Sequence, residues 1–426
     1  MNAATKRYFE GSLEERDPVV FKALQGEKRR QQSQIELIAS ENSVSAALLE
    51  ALGSVITNKT VEGYPGNRFH GGAEFADIVE NAAIDRAKQL FGCKFANVQP
   101  HSGTQANQAV FLALLKPGDR VLSLDLAAGG HLSHGAKPNQ SGKWFEITSY
   151  GVERDTGLIN YDDVAAIAER VKPHLIISGG SSYPREINFA RMREIADKVG
   201  AYYLVDMAHF AGLVAAGVHA SPFAFADIVT CTTTKTLRGA RGGVVMTNRE
   251  DLAKKIQSSV FPGVQGSAHL QVIAGKAVAL GDALTDEFKI YARNVQSNAR
   301  VLASSLQDRQ VRIVSGGTDT HLVLVDVSSK GLSGQQAQDL LGRAGITTNK
   351  NPIPFDSAKP SEWKGIRLGS AAGTTRGFSG TEFAEIADLI GELFEVANQD
   401  EKRREDTIVK VRRSVQQLCD QFPTYA

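Results

Sequence analysis

Cysteine is scarce: Cys93, Cys231 and Cys419 are the only three in 426 residues, too few and too widely spaced for a disulfide framework or a zinc pattern. A reducing compartment follows, with Cys93 and Cys231 expected to pack as small hydrophobes. Long apolar runs are missing too. None reaches the roughly 18 residues a membrane span needs, and the opening MNAATKRYFEGSLEERDP has no apolar signal-peptide core. Charge of one sign is also absent, since 48 Lys plus Arg stand against 47 Asp plus Glu, a net +1. That balance gives no general attraction for nucleic acid or an anionic membrane, although local basic sites for small anions stay open. By elimination the chain is expected to be cytoplasmic.

What is present is an ordinary globular composition, 42% hydrophobic with 40 glycines in no strict period. The length suits two or three domains, one large enough to bury a sheet. Residues 1–35 are polar and highly charged, an arm expected to pack on a partner subunit, and GEKRRQQSQIELIAS reads as a helix. The stretch 36–82 is loop-like and crowded with Gly, Pro, Asn and aromatics, as a binding loop is. Short apolar strands then alternate with amphipathic helices: FANVQP, TQANQAVFLALL, RVLSLDL, LIISGG, FARMREIADKVG, AYYLVDMAH, ADIVTCTTT and GGVVMTN. This pattern predicts an α/β fold with a mostly parallel sheet covered on both faces. The reading is a large domain over 36–290 and a smaller C-terminal α+β domain over 291–426.

Three motifs could carry chemistry. HSGTQANQ (101–108) lies between a strand and a helix, where Ser102, Gly103 and Thr104 would offer N–H groups and hydroxyls to a phosphate; it also reads as an ordinary N-cap. VDMAH (205–209) ends a strand at the edge where ligand crevices form, placing Asp206 and His209 toward the site. CTTTKTLRGARGG (231–243) holds Lys235 among few other charges, where a disfavoured ammonium supplies the neutral amine a Schiff base requires. Together they offer anchors for the phosphate, ring nitrogen and aldehyde of pyridoxal phosphate. No metal set is read.

From about residue 10 onward the chain resembles the serine hydroxymethyltransferase family of fold-type I pyridoxal-phosphate transferases, through LIASENSVS, EGYPGNRFHGG, NVQPHSGTQAN, GGHLSHG, VDMAHFAGL, KTLRGARGG, FPGVQGS and NKNPIPFD. The resemblance implies a large seven-stranded sheet, a covalent aldimine of pyridoxal 5'-phosphate at Lys235, and tetrahydrofolate as co-substrate. Asp206 would hold the pyridine nitrogen and His131 would lie on the ring. Ser102, Gly103 and Thr104 would bind the phosphate, with Gly266 and Ser267 from the neighbouring subunit. Ser181 and His209 would contact the phenolic oxygen. Arg367, with Ser40 beside it, would clamp the substrate carboxylate, a task that suits a planar guanidinium. Glu62 from the partner would move protons, and Leu126, Gly130, Leu132 and Asn351 would line the folate site. At least a homodimer is implied, possible assembly to a tetramer being left open.

Three positions depart from the family pattern: Thr60 and His70 replace tyrosines, and Thr234 replaces the histidine before the lysine. TNKT with TTTKT is most similar to the branch that interconverts 2-methylserine and D-alanine with tetrahydrofolate. Thr60 and Thr234 would then make room for the substrate methyl, in pockets where a methylene decides about 1–3 kcal/mol. Ordinary serine/glycine exchange and a folate-independent aldolase, acting on 2-methylserine or a threonine-type substrate, are the alternatives, with a non-catalytic scaffold as the reading of a different class.

Overall fold

The computed structural model describes residues 1–356 and 359–425. Seven strands, β1 (Phe95–Asn97), β2 (Arg120–Leu124), β3 (Glu146–Tyr150), β4 (Leu175–Gly179), β5 (Tyr202–Asp206), β6 (Ile228–Thr232) and β7 (Gly243–Thr247), form one sheet in the order β1-β7-β6-β5-β4-β2-β3. The neighbours from β6 to β3 pair in parallel, and β7 alone runs antiparallel to those on either side. Strands buried on both faces must be apolar throughout, and β4 (LIISG) is buried at every residue. Each Leu or Ile so enclosed contributes about 1.5–3 kcal/mol. Two apolar clusters cover the two faces.

One connecting helix shows how its ends are set. Helix Phe189–Val199 starts on Asn188, whose side chain accepts from the Arg191 N–H, and stops at Gly200 in the left-handed region at φ 70°. The α/β class and the mostly parallel seven-stranded sheet expected from the sequence are those observed.

A second, antiparallel sheet is built from β8 (Arg312–Ile313), β9 (Leu322–Asp326), β10 (Asn349–Asn351) and β11 (Gly365–Gly369), in the order β8-β9-β11-β10. It has its own apolar cluster, which also takes in Leu302 and Leu306 of the long helix Asp286–Asp308.

The helix expected over GEKRRQQSQIELIAS ends instead at Ser33, and Ile35–Glu36 pairs in parallel with Ile346–Thr347. The cause is a period of two: Ile35, Leu37 and Ala39 alternate with polar or half-buried neighbours and are all buried. The loop-like stretch 36–82 contains helix Ala46–Leu52 and the first turns of helix Glu74–Phe91. Strand β3 and helices Tyr161–Val171, Glu250–Ser258 and Leu270–Ala283 went unread. All three cysteines are free and buried, and burial raises the Cys93 thiol to about 11. Among the described residues no helix is long and apolar enough to cross a membrane.

Candidate active site

The residues singled out in the sequence converge on one edge of the large sheet, where β1, β2, β4, β5 and β6 present their C-terminal ends. The chain leaves β1 into Ser102–Thr104, β2 into Leu126–His131, β4 into Ser181, β5 at Asp206 and β6 into Lys235.

Asp206 is the centre of a buried network. Its Oδ2 accepts from Asn107 Nδ2 and is 2.9 Å from His134 Nε2, while Oδ1 accepts from the Ala208 N–H at 3.0 Å. Asn107 also donates to Ser133 Oγ and accepts from Thr230 Oγ1. Ser133 in turn fixes the His131 ring, with Oγ and N–H at 2.7 and 3.1 Å from Nδ1. Burial alone would raise the Asp206 pKa, but the bond from His134, the two imidazoles and the bond from Asn107 hold it well below the usual carboxylate range. Three hydrogen bonds fall on a group with about four lone-pair sites, so Oδ1 keeps capacity for one more N–H donor. His131 itself is held down to about 4, chiefly by burial and by His134. The ligand atoms of His131, His134 and Asp206 lie within 4.8 Å of one another. The same atoms make the bonds just described, which a metal ion would have to displace.

Lys235 sits half-buried in a loop that closes on itself: the Gly239 N–H donates to Thr233 O, and Asn42 Nδ2 donates to Lys235 O at 2.8 Å. Burial lowers its pKa to about 8, helped by Arg367 and Arg241 and opposed by Asp206. Arg367, on β11, is buried; Nη1 donates to Ser181 O at 2.6 Å, while Nε has no partner. Burial brings its pKa down to about 10. A buried guanidinium with an unfilled donor suits an anionic ligand. The Ser40 segment runs along the same strand, the Gly369 N–H donating to Leu37 O at 2.7 Å. The buried His209 faces His321, Nδ1 to Nε2 at 3.4 Å, and His321 Nε2 lies 3.0 Å from Ala39 O.

At the start of helix Gly103–Leu114, Ser102 caps by accepting from the Gln105 N–H, so the expected phosphate residue Ser102 is also the helix cap. The turn is packed closely: a Cβ on Gly103 would fall 2.7 Å from Thr232 Cγ2. Loops 126–131 and 179–182 meet backbone to backbone. The Ser181 N–H donates to Gly129 O at 2.7 Å, and a Cβ on Gly180 would lie 2.2 Å from that oxygen.

Glu62, Gly266 and Ser267 lie together: the Val61 N–H donates to Ser267 Oγ at 3.0 Å, Gly266 faces Glu62 Oε1, and the neighbouring Gln265 Oε1 accepts from the His101 N–H at 3.2 Å. Thr60 is exposed two residues before Glu62, and His70 Nδ1 is buried without a partner. Thr234 is half-buried beside Lys235. Leu126, His131 and Leu132 line a cleft of about 470 Å³, while Asn351 is buried with Nδ2 donating to Ser182 Oγ at 3.1 Å. Gly130 is closed in, since a Cβ there would meet Leu124 O at 2.2 Å.

His134, Asn107, Ser133, Asn42 and His321 belong to this arrangement although the sequence reading passed over them. One signal was available: GGHLSHG carries two histidines three residues apart, of which only His131 was taken. A buried Asn inside an apolar helix leaves no comparable mark.

Comparison with known proteins adds the following. Residues 13–390 match the family model for serine hydroxymethyltransferase. A 2-methylserine hydroxymethyltransferase of Aminobacter sp. is 63% identical over the full length of both chains, and one of Paracoccus sp. is 60% identical, also full length. A serine hydroxymethyltransferase of Jannaschia sp. is 58% identical over 98% of this chain and 95% of its own.

Proposed function

The chain belongs to the serine hydroxymethyltransferase family, and on that premise we propose that it moves a one-carbon unit between 2-methylserine and D-alanine, using tetrahydrofolate as acceptor and pyridoxal phosphate as cofactor. The observation that carries the substrate is Thr234: a small side chain stands directly before Lys235, and Thr60 stands near Glu62. The residues fit the cofactor on three independent points: the spare lone pair of Asp206, the lowered Lys235 amine and the free N-terminal N–H groups at Ser102–Thr104.

In this reading Lys235 would be the residue that holds the cofactor through its aldehyde, and its neutral amine would be the group that takes up and returns protons. Asp206, kept ionised, holds a proton at the ring nitrogen, and His131 covers the ring face. Bound in this way, pyridoxal phosphate supplies the electron sink for the pair released when a bond to Cα breaks. Ser102, Gly103 and Thr104 hold the phosphate, joined by Gly266 and Ser267 of a second copy. Ser181 and His209 meet the phenolic oxygen. Arg367 orients the substrate carboxylate with Ser40, so that the bond to be broken stands over the sink. Glu62 moves the proton of the hydroxymethyl group. Leu126, Gly130, Leu132 and Asn351 receive the folate.

The same proposal covers organisation. The protein is a cytoplasmic homodimer or larger, with a large domain over 36–290, a small one over 291–426, and the arm 1–35 on a partner; Tyr8, Phe9, Val19 and Leu24 of that arm are exposed apolar side chains suited to it.

The test is kcat/KM for 2-methylserine and for L-serine, each with tetrahydrofolate. The expected result favours 2-methylserine, and Thr60→Tyr with Thr234→His shifts the ratio toward L-serine by about 10- to 200-fold, the range such pockets command. A higher kcat/KM for L-serine in the unaltered enzyme overturns the proposal in favour of serine/glycine exchange.

A further inference from the structure

Helix Leu270–Ala283 is mostly apolar, yet it carries a lysine in its interior. Lys276 is 1% exposed, and its Nζ donates to Val98 O at 2.6 Å, Gly243 O at 2.9 Å and Pro100 O at 3.0 Å. Three N–H donors meet three carbonyl oxygens, which is the full capacity of an ammonium. Among the described residues no carboxylate is ion-paired with it, and burial pulls its pKa down to about 7, opposed in part by Cys231 and Glu80. A charge so placed is costly to bury, and the three carbonyl oxygens offset that cost only while the ammonium stays among them. The carbonyls say what the charge accomplishes.

Val98 and Pro100 belong to the chain leaving β1, which two residues later becomes Ser102–Thr104. Gly243 closes the loop that carries Lys235. The two segments are already in contact, the Gly243 N–H donating to Pro100 O at 2.9 Å. Their backbones meet the lysine without side chains between: a Cβ on Gly242 would lie 2.2 Å from Lys276 Cε and 2.6 Å from Nζ, and one on Gly243 would lie 2.3 Å from Ser102 O. Gathered carbonyl oxygens around a buried cation are what a bound monovalent ion would use; here the cation is covalently tethered.

We propose that Lys276 is a positioning residue: a tethered cation that clamps the Ser102–Thr104 turn to the loop bearing Lys235, fixing the distance between the phosphate anchor and the reactive amine. The inference rests on the reading that this turn takes the phosphate of pyridoxal phosphate.

The experiment measures the pyridoxal-phosphate dissociation constant of the full-length protein by absorbance, alongside the melting temperature of the apoprotein. Lys276→Met keeps most of the volume without the charge. It is expected to lower the melting temperature of the apoprotein, since three buried carbonyl oxygens lose their donor, and to weaken cofactor binding about tenfold or more, the scale of lost charge-assisted hydrogen bonds. Lys276→Ala is expected to bind weakly and to recover in potassium or methylammonium chloride, but not in tetramethylammonium chloride at equal ionic strength. A Met variant that binds the cofactor as tightly as the unaltered chain reduces the lysine to a space filler and overturns the proposal, as does an Ala variant that no small cation rescues. If neither folds, Gly242→Ala displaces the ammonium with Lys276 still in place: tenfold weaker binding supports the clamp and unchanged binding overturns it. Failure of the unaltered protein to bind pyridoxal phosphate overturns the cofactor reading itself, whereas tight binding by all chains overturns only the clamp.

Discussion

Lys235 shows how far a single residue's chemistry follows from its position. In the sequence it is a lysine after a strand with few charges around it; in the structure burial, Arg367 and Arg241 bring it to about 8 against a usual value of 10.5, with Asp206 restoring part of the loss. The neutral amine is the form that attacks an aldehyde. Cofactor uptake by the apoprotein should therefore quicken as pH rises, with a midpoint at about 8, followed as growth of the Schiff-base absorbance after stopped-flow mixing; a midpoint at about 10 would show that the site does not depress the amine. The linkage has a definite sign. The unfolded chain binds more protons between about 8 and 10.5, so through that window Lys235 adds stability as pH rises. Asp206 could be chosen because it ends a strand, and His131 because the resemblance marks it within GGHLSHG. Asn107 and Ser133 could not, because their importance lies in which groups they join, Asn107 linking Thr230 to Asp206 and Ser133 linking Asn107 to His131, through contacts as much as 123 residues apart in the chain.

Among elements, the parallel strands were the most legible, since burial on both faces forces a continuous apolar run that no other element of that length shows. Strand β3 escaped because its residues 146–149 are exposed or half-buried, as suits the edge of the sheet. The segment Ile35–Glu36 was read as helix because helical residues precede it and its alternation is too short to outweigh them. Its pairing brings a carboxyl with it. Glu36 is raised to about 7, chiefly by burial and by Glu41, although the Ile38 N–H and Arg30 pull the other way. Between about 4.5 and 7 the folded chain therefore binds more protons than the unfolded one, and stability falls as pH rises through that window. Glu36→Gln keeps an acceptor for Ile38 and Arg30 without the buried charge. It should stabilise the protein by about 1–3 kcal/mol at pH about 8 and by almost nothing at pH about 4, measured by urea unfolding. Equal effects at the two pH values would assign the change to packing.

At the scale of the whole molecule, two sets of the proposed machinery are each tied together by their own contacts. Lys235, Asp206, His131 and Arg367 meet at the sheet edge, while Glu62, Gly266 and Ser267 are bound to one another through the Val61 N–H and Ser267 Oγ, with the Ala268 N–H returning to Val61 O. The second group lies in a region rich in exposed aromatic and aliphatic surface, with Phe69, Phe75 and Ile78 all well exposed and Phe69 packed on Phe261. A two-fold dimer exchanges such groups reciprocally, each copy giving to the other what it receives. The arrangement makes a prediction that no single-chain site can imitate. Lys235→Ala and Glu62→Gln chains are each expected to be nearly inactive as homodimers. In a mixed dimer the Lys235→Ala chain contributes its intact Glu62 to the site that retains Lys235, so one of the two sites is whole. Random mixing makes about half of the dimers mixed, each with one working site, and about a quarter of the unaltered activity should return. If Glu62 served the Lys235 of its own chain, every site in the mixture would lack one of the two, and mixing would restore nothing.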